Sequence, residues 1–441
     1  MVVVYWKNCC NLTNYTLIMR LLTFLFCFLI PVLLTAQSAS PTVYVLKPDR
    51  VFDGEVMHEG WMVLVKDRRI EGAGPSLAIP RGAKVIDLKG CTLLPGLIEG
   101  HSHLFLHPYN ETTWDDQVLK ESRAERTARA VNHAKATLLA GFTTVRDLGT
   151  EGAMYDDVGL KKAIEKGIIP GPRMLVATRA IVATGSYGPR SEVAEMHLPK
   201  GAAEAGGPEE LAREIRTQIG QGADLIKLYG DYRWGLHDVA QPTFTDAEMA
   251  LAVAVTKSSG RQVVVHASTA EGMRRAILAG VSTIEHGDKG DSAVFRLMKE
   301  RGVALCPTLA AGHATAQYKG WKVGTLPEPD RIVEKKKSFA AALAANVTIC
   351  MGGDVGVFTH GDNAREMELM VEYGMKPLEV LRSATSVNAD VFGIGAAVGR
   401  IRAGLDADIL VVEGNPSNNI AQVRKVKLVM QRGVIVRGVT L

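Results

Sequence analysis

Five side chains able to hold a metal stand where apolar segments end. His101-Ser102-His103 follows Leu93–Ile98, and a step of two along a strand turns both imidazoles to one face. His266 closes Val263-Val264-Val265, His286 closes Thr283-Ile284-Glu285, and Asp354 follows Ile349–Gly353. A His-x-His pair alone is weak evidence, because two ordinary polar residues at a strand end would look the same. Five candidate ligands on four strand ends form a pattern that chance seldom supplies. Imidazole and carboxylate donors suit zinc, and also manganese or cobalt.

Lys227 is the sixth candidate. It stands in the middle of Leu225-Ile226-Lys227-Leu228-Tyr229, an apolar run with no reason to bury a charge. A buried ammonium is costly unless it is paired or neutralised. Two readings are open. One is an ion pair with an acid on a neighbouring strand, such as Asp147 or Asp354. The other is reaction of the neutral amine with carbon dioxide, giving a carbamate able to bridge two divalent cations. Tyr229 has the parity of Lys227, so its hydroxyl belongs to the same face, either capping the core or donating to the carbonyl oxygen of a tetrahedral intermediate.

The elements that must position these residues alternate. Leu93–His103, Thr143–Asp147, Arg173–Ala177, Leu225–Tyr229, Val263–His266, Thr283–His286, Ala304–Pro307 and Thr348–Met351 read as buried strands. Helical patterns lie between them, clearest at Arg123–Leu139, Pro208–Gln221, Thr245–Ser258, Ala270–Leu278, Ser292–Glu300 and Pro329–Ala345, with Asn363–Glu372 and Pro377–Ser383 beyond the last strand. That is the alternation of a (β/α)₈ barrel, an α/β fold that places its chemistry at the C-terminal ends of its strands. Short β-type runs at Thr42–Leu46, Trp61–Lys66, Arg69–Ala73 and Lys84–Asp87, and again at Asp408–Glu413 and Val426–Arg437, predict a small sheet domain built from both chain ends. The expected organisation is residues 42–95 and 396–441 as a β-sandwich and 96–392 as the barrel.

Composition sets the outer limits. The 441 residues, 47% hydrophobic and 22% charged, exclude a fibre, a mini-protein and a disordered chain. A net charge of +4 with no long basic run gives no electrostatic case for nucleic acid. Leu21–Leu34 is an apolar run preceded by Arg20 and followed by small residues, the form of a signal peptide over residues 1–36, with cleavage expected after Ala36. The run is short for a membrane span and Pro31 interrupts it, so an uncleaved anchor is the lesser reading. Met19-Arg20 would make a compact start, with residues 1–18 an over-extended beginning. The predicted location is periplasmic or secreted, with no stable membrane association after cleavage. Cys91, Cys306 and Cys350 lie far apart in apolar stretches and read as buried thiols rather than a disulfide framework.

The motifs, taken together, resemble the binuclear, metal-dependent branch of the amidohydrolase superfamily, which includes imidazolonepropionase-like and Xaa-Pro dipeptidase-like proteins. They are Pro95-Gly96-Leu97-Ile98-Glu99-Gly100-His101-Ser102-His103, Gly141-Phe142-Thr143-Thr144-Val145-Arg146-Asp147, Ile226-Lys227, Val265-His266-Ala267, Ile284-Glu285-His286-Gly287 and Gly352-Gly353-Asp354, with Gly399-Arg400-Ile401 to Val412 near the end. The resemblance implies one metal held by His101, His103 and Asp354 and a second by His266 and His286. A carboxylated Lys227 and a hydroxide would bridge two divalent ions, zinc first among the candidates, with Asp354 carrying the proton to the leaving nitrogen. Deamination fits less well, since the resembling deaminases place an acid three residues after the fifth-strand histidine, where this chain has Thr269.

Substrate recognition falls to the loops over this edge. Arg190 and Arg233 are candidates to clamp a carboxylate, or ordinary solvated charges. Several relatives carry Thr-Gly-Gly-His-Gly where this chain has Thr184-Gly185-Ser186-Tyr187-Gly188, so Tyr187 stands beside the site in place of a histidine. His107, His313 and His360 lie on the same loops, His107 being taken as a substrate contact. The leading function is a dipeptidase or carboxypeptidase-like hydrolase for Xaa-Pro or Xaa-Arg/Lys substrates. The alternatives are a cyclic-amide or N-acyl amidohydrolase of imidazolonepropionase type and a non-catalytic scaffold of the same fold. Expected partners are a small dipeptide-like molecule and, at most, further copies of the chain.

Overall fold

Val43–Phe52, Lys84–Pro95 and Ile409–Glu413 are rich in valine, leucine and isoleucine, and they pair side by side within one eight-stranded sheet. Val43–Phe52 runs parallel to Lys84–Pro95, which in turn pairs antiparallel with Ile409–Glu413. Both chain ends thus share one hydrogen-bonded layer, and Leu46, Val65, Leu93, Val411 and Met430 bury together against it. The expected C-terminal β region is two strands, Val426–Gln431 and Val434–Arg437. This computed structural model describes residues 42–193 and 195–438. The signal peptide expected over residues 1–36 lies outside the described residues. Among those described, no helix is long and apolar enough to cross a membrane.

The expected strand Leu93–His103 is two strands. Lys84–Pro95 belongs to the terminal sheet and Leu97–Ser102 to a parallel one. Gly96 is the joint: a Cβ there would collide with the Thr143 side chain, so only glycine lets the chain pass between layers. Leu97–Ser102, Phe142–Asp147 and Arg173–Val176 form a parallel sheet of three strands. Leu225–Tyr229, Gln262–Thr269, Thr283–Lys289 and Ala304–Cys306 are successive parallel neighbours in a sheet of six. Thr348–Met351, expected as the eighth strand, makes only an isolated bridge from Ile349 to Leu305. The glycines that follow explain the irregularity. A Cβ on Gly352 would lie 2.8 Å from the His101 nitrogen and closer still to the Cys306 sulfur, so the chain threads a gap too narrow for side chains. Backbone hydrogen bonds nonetheless tie this segment to both sides: Cys350 N donates to Leu305 O at 2.8 Å and Gly100 N to Met351 O at 3.1 Å. On the other flank, Asp224 N donates to Val176 O at 2.8 Å.

The helices start where the sequence offers caps. Ser122 accepts from Glu125 N ahead of Arg123–Leu139, and Thr245 forms a capping box with Glu248 ahead of Asp246–Lys257. Asp291 accepts from Ala293 N and Val294 N at the head of Ser292–Arg301. Buried faces such as Leu211/Ile215 and Phe295/Met298 join one apolar cluster with Ile226, Val265 and Ile284 from the parallel strands. Cys91, Cys306 and Cys350 are free and buried.

Candidate metal centre

The parallel strands carry the candidate ligands to one place. His101 lies near the end of Leu97–Ser102 and His103 directly after it, His266 lies on Gln262–Thr269, and His286 on Thr283–Lys289. The His101 ring centroid is 5.3 Å from that of His103 and 5.1 Å from that of His286, and His266 lies 4.3 Å from His286. Asp354 Oδ1 is 3.3 Å from His103 Nε2 and 3.7 Å from His101 Nε2. One donor atom each from His101, His286 and Asp354 lies within 4.8 Å of the others.

Second partners fix which nitrogen faces inward. His103 Nδ1 donates to the carbonyl of Gly149 at 2.8 Å, which leaves Nε2 as the lone-pair nitrogen turned toward Asp354. His101 Nδ1 meets Glu285 Oε2 at 2.9 Å, and His286 Nδ1 meets Thr308 Oγ1 at 2.7 Å. Burial holds three of these imidazoles neutral. His101 and His286 are pushed well below the ordinary value, and His266 is lowered to about 3, by desolvation first and the charge of Lys227 as well. Neutral imidazole is the form that binds a metal. His286, Asp354 and Thr308 all have left-handed backbones, with φ of 75°, 61° and 51°. Such conformations cost about 1–3 kcal/mol each and cluster at functional sites.

Lys227 lies among these groups with 1% of its surface exposed, and among the described residues its side chain makes neither an ion pair nor a hydrogen bond. The ion-pair reading therefore finds no support. Asp147 accepts instead from Leu104 N at 2.9 Å and Gly149 N at 3.4 Å, and Asp354 lies against His101 and His103. Burial lowers the Lys227 amine and raises the Asp354 carboxyl, each moving toward its neutral form. The donor chemistry fits a pair of divalent ions: four imidazoles, one carboxylate, and an amine that becomes anionic on carboxylation. A second grouping, His101 with Glu285 and Cys306, fits poorly. Glu285 is held by Arg146 at 2.8 Å, and burial pushes the Cys306 thiol far above the range of an easy thiolate.

The loop residues divide. Tyr229 stacks on His266 with centroids 4.6 Å apart, and Tyr187 packs 4.7 Å from Tyr229, so both stand beside the histidines. Arg190 is exposed, paired with Asp238 at 3.2 Å and donating to the Arg233 carbonyl at 3.0 Å. Arg233 lies over the Tyr232 ring, 5.5 Å from its centroid. The expectation of His107 as a substrate contact is corrected: its ring is buried with Nδ1 3.1 Å from Glu111 and Nε2 2.8 Å from Glu121, leaving no nitrogen for a ligand. His313 meets the Arg365 guanidinium, and His360 donates to the Leu106 carbonyl. Three buried groups escaped sequence reasoning. Glu99 accepts from His101 N, Gly353 N and Asn363 Nδ2, tying two ligand segments together, and burial raises it to about 7. Arg146 grips Glu285, the partner of His101. Glu151 takes hydrogen bonds from Tyr187 and Tyr229. Glu99, Arg146 and Glu285 stood inside the quoted motifs, but single charges in apolar strands carry no label of their partners.

The family model described as Amidohydrolase family matches residues 92–438. The ochratoxinase of Aspergillus niger is 30% identical over 413 residues, an alignment covering 86% of this chain and 82% of that protein. Among solved structures, a Xaa-Pro dipeptidase with methionine bound in its active site superposes with a TM-score of 0.80 at 30% identity, covering 90% of this chain and 100% of that one. A prolidase complexed with N-methylphosphonate-L-proline gives 0.79 at 27% identity over the same shares.

Proposed function

The chain belongs to the amidohydrolase family, and on that premise we propose that it hydrolyses amide bonds of small substrates, Xaa-Pro or Xaa-Arg/Lys dipeptides first, using two divalent metal ions. The observation that carries this reading is Lys227, buried without an ion-pair partner beside four histidines. Carboxylated, it would join His101, His103 and Asp354 on one side and His266 and His286 on the other. The metals, when bound, supply a water of lowered pKa and a polarised scissile carbonyl. The chain supplies the rest. Asp354 takes the water proton on its carboxylate and hands it to the leaving nitrogen. The Tyr229 hydroxyl, on the same strand as Lys227, exchanges its long 3.4 Å contact with Glu151 for the carbonyl oxygen and donates to it as negative charge gathers there. Glu285 and Gly149 hold two imidazoles in one tautomer.

The parallel strands, tied at both flanks by backbone hydrogen bonds, support a (β/α)₈ barrel over residues 96–392, with the terminal sheet as its β-sandwich. Export with removal of residues 1–36 is part of the same proposal. The ochratoxinase relative, whose name is not that of a dipeptidase, supports a second reading as an N-acyl or cyclic amidohydrolase. The test is a panel of dipeptides, N-acyl amino acids and cyclic amides, assayed with measured metal content before and after chelation. Hydrolysis of dipeptides that stops on metal removal and returns on reconstitution is expected. Activity indifferent to metal overturns the proposal.

A further inference from the structure

The loop after Phe142–Asp147 carries Glu151 on a left-handed backbone, φ 48°, with only 2% of its surface exposed. Arg126 locks that loop: its guanidinium donates to the carbonyls of Glu151 at 2.7 Å, Thr150 at 3.0 Å and Phe105 at 3.1 Å. The Arg126 donors therefore go to backbone, and none reaches the Glu151 carboxylate. That carboxylate takes neutral donors only. Oε2 accepts from Tyr187 Oη at 2.7 Å and Trp114 Nε1 at 3.0 Å, while Oε1 has a single long contact from Tyr229 Oη at 3.4 Å.

A carboxylate can accept about four hydrogen bonds, so Oε1 keeps unused capacity on the side of Tyr229. Other buried acids here are held by a cation or by backbone N–H groups: Glu285 has Arg146 at 2.8 Å, Asp288 has Lys335 at 2.6 Å, and Glu99 and Asp147 accept from backbone nitrogens, whereas the Glu151 carboxylate accepts from side chains only. The donors to Glu151 come from the edges of a cluster of aromatic rings, the Tyr187 centroid lying 4.7 Å from that of Tyr229 and 4.8 Å from that of Tyr232. A buried carboxylate with an open acceptor position is a receptor for a cation through an ionic hydrogen bond. Tyr229 links it to the candidate metal centre, since the same ring stacks on His266.

We propose that Glu151 is the substrate-binding residue for a free ammonium group, the α-amine of the first residue of a dipeptide. This rests on the amide-hydrolase reading above and deepens it, because N-acylated substrates lack that charge. The enzyme is then a dipeptidase proper, one that needs the unblocked amine on the acyl side of the scissile bond.

The experiment compares Ala-Pro with N-acetyl-Ala-Pro on the metal-loaded protein. Wild type should favour the free amine by about 10–100-fold in kcat/KM, with KM for Ala-Pro rising above pH 8 as the α-amine, pKa about 8, loses its proton. Glu151→Gln should raise KM for Ala-Pro about tenfold or more and narrow the preference over the N-acetyl compound by the same factor. Equal losses on both compounds, or a wild type that prefers the acetylated one, overturns the assignment while leaving the hydrolase reading intact. Should wild type cleave neither, the Xaa-Pro part of the hydrolase reading fails, and calorimetric binding of the two compounds still decides for Glu151: equal affinities refute it, and tenfold weaker binding of the acetylated compound supports it. Should Glu151→Gln not fold, the wild-type substrate and pH comparisons carry the decision.

Discussion

Arg146 and Lys227 are both cations with 1% of their surface exposed, on strands of the same parallel arrangement, and their surroundings are opposite. Arg146 donates to Gly100 O at 2.7 Å, Thr283 Oγ1 at 3.2 Å and Glu285 at 2.8 Å, and its guanidinium rests 4.0 Å from the centre of the Phe392 ring. Its charge is matched, and it acts on the histidines only by holding Glu285 against His101. Among the described residues Lys227 has no ion-pair partner and no hydrogen-bond acceptor, only the Tyr229 ring with its centroid 5.5 Å from the amine. The difference lies in the chemistry of the two heads: a guanidinium stays charged, whereas burial readily brings an amine to the neutral form that can react. A saturated buried cation marks architecture, and an unsatisfied one marks a group whose working form is another species.

The sharpest way to break this contrast is to remove each head. Lys227→Ala should lose bound metal, read by elemental analysis, and lower activity by about three orders of magnitude, with partial rescue by short carboxylic acids. Full activity in that variant would refute the bridging carbamate. Arg146→Met should act on the fold instead, costing about 3–5 kcal/mol in denaturant unfolding because Glu285 is left as an uncompensated buried charge. Lys227→Met in the metal-free protein should cost less than about 1 kcal/mol or stabilise it, since it removes an unpaired ammonium from the interior. Equal destabilisation by the two methionine variants would show that Lys227 has a structural partner after all.

Lys335 sharpens the contrast as a third buried cation. It is paired with Asp288 at 2.6 Å and also donates to the His286 carbonyl at 2.6 Å, which anchors a ligand strand from outside. Burial pushes Asp288 up, but Lys335 and Arg331 outweigh it and hold the carboxyl down at about 2, against an ordinary 3.8. Between those values the unfolded chain binds more protons than the folded one. Asp288 therefore contributes stability that is complete above about pH 4 and lost as pH falls through about 2, amounting to about 2 kcal/mol. Acid unfolding of Lys335→Met should lack that slope, and an unchanged acid midpoint would remove the pair from the account.

Much of this was legible in the sequence because period and punctuation carry it. Helix Arg123–Leu139 and strand Leu225–Tyr229 have the bounds their apolar spacing predicts, and the histidines and Asp354 advertise themselves at strand ends. What was hidden depends on contacts between distant segments. The break at Gly96 reflects the Thr143 side chain, 47 residues on. Glu151 looks like any loop acid until Tyr187, Tyr229 and Trp114 close on it. His107 sits on a mouth loop by sequence, yet Glu111 and Glu121 claim both of its nitrogens. Local pattern reveals what an element is. The pairing of charges across elements decides whether a polar residue works or merely holds.

Arg190 extends the comparison to a cation in water, where the smallest effects are expected. Its side chain is 61% exposed and that of its partner Asp238 is 71% exposed, so the pair contributes little against solvent screening. Arg190→Met should change stability by less than about 0.5 kcal/mol. Its use, if the loop closes over substrate, lies in the carboxylate it can reach once Asp238 is exchanged for the free end of a dipeptide. The variant should then raise KM for Ala-Pro about three- to tenfold, leave kcat alone, and leave the C-terminally amidated dipeptide unaffected, because only the carboxylate offers the bidentate acceptor a guanidinium prefers. Equal changes for the acid and the amide would return Arg190 to the solvated surface, and with it the idea that an exposed cation on this loop does more than keep Asp238 company.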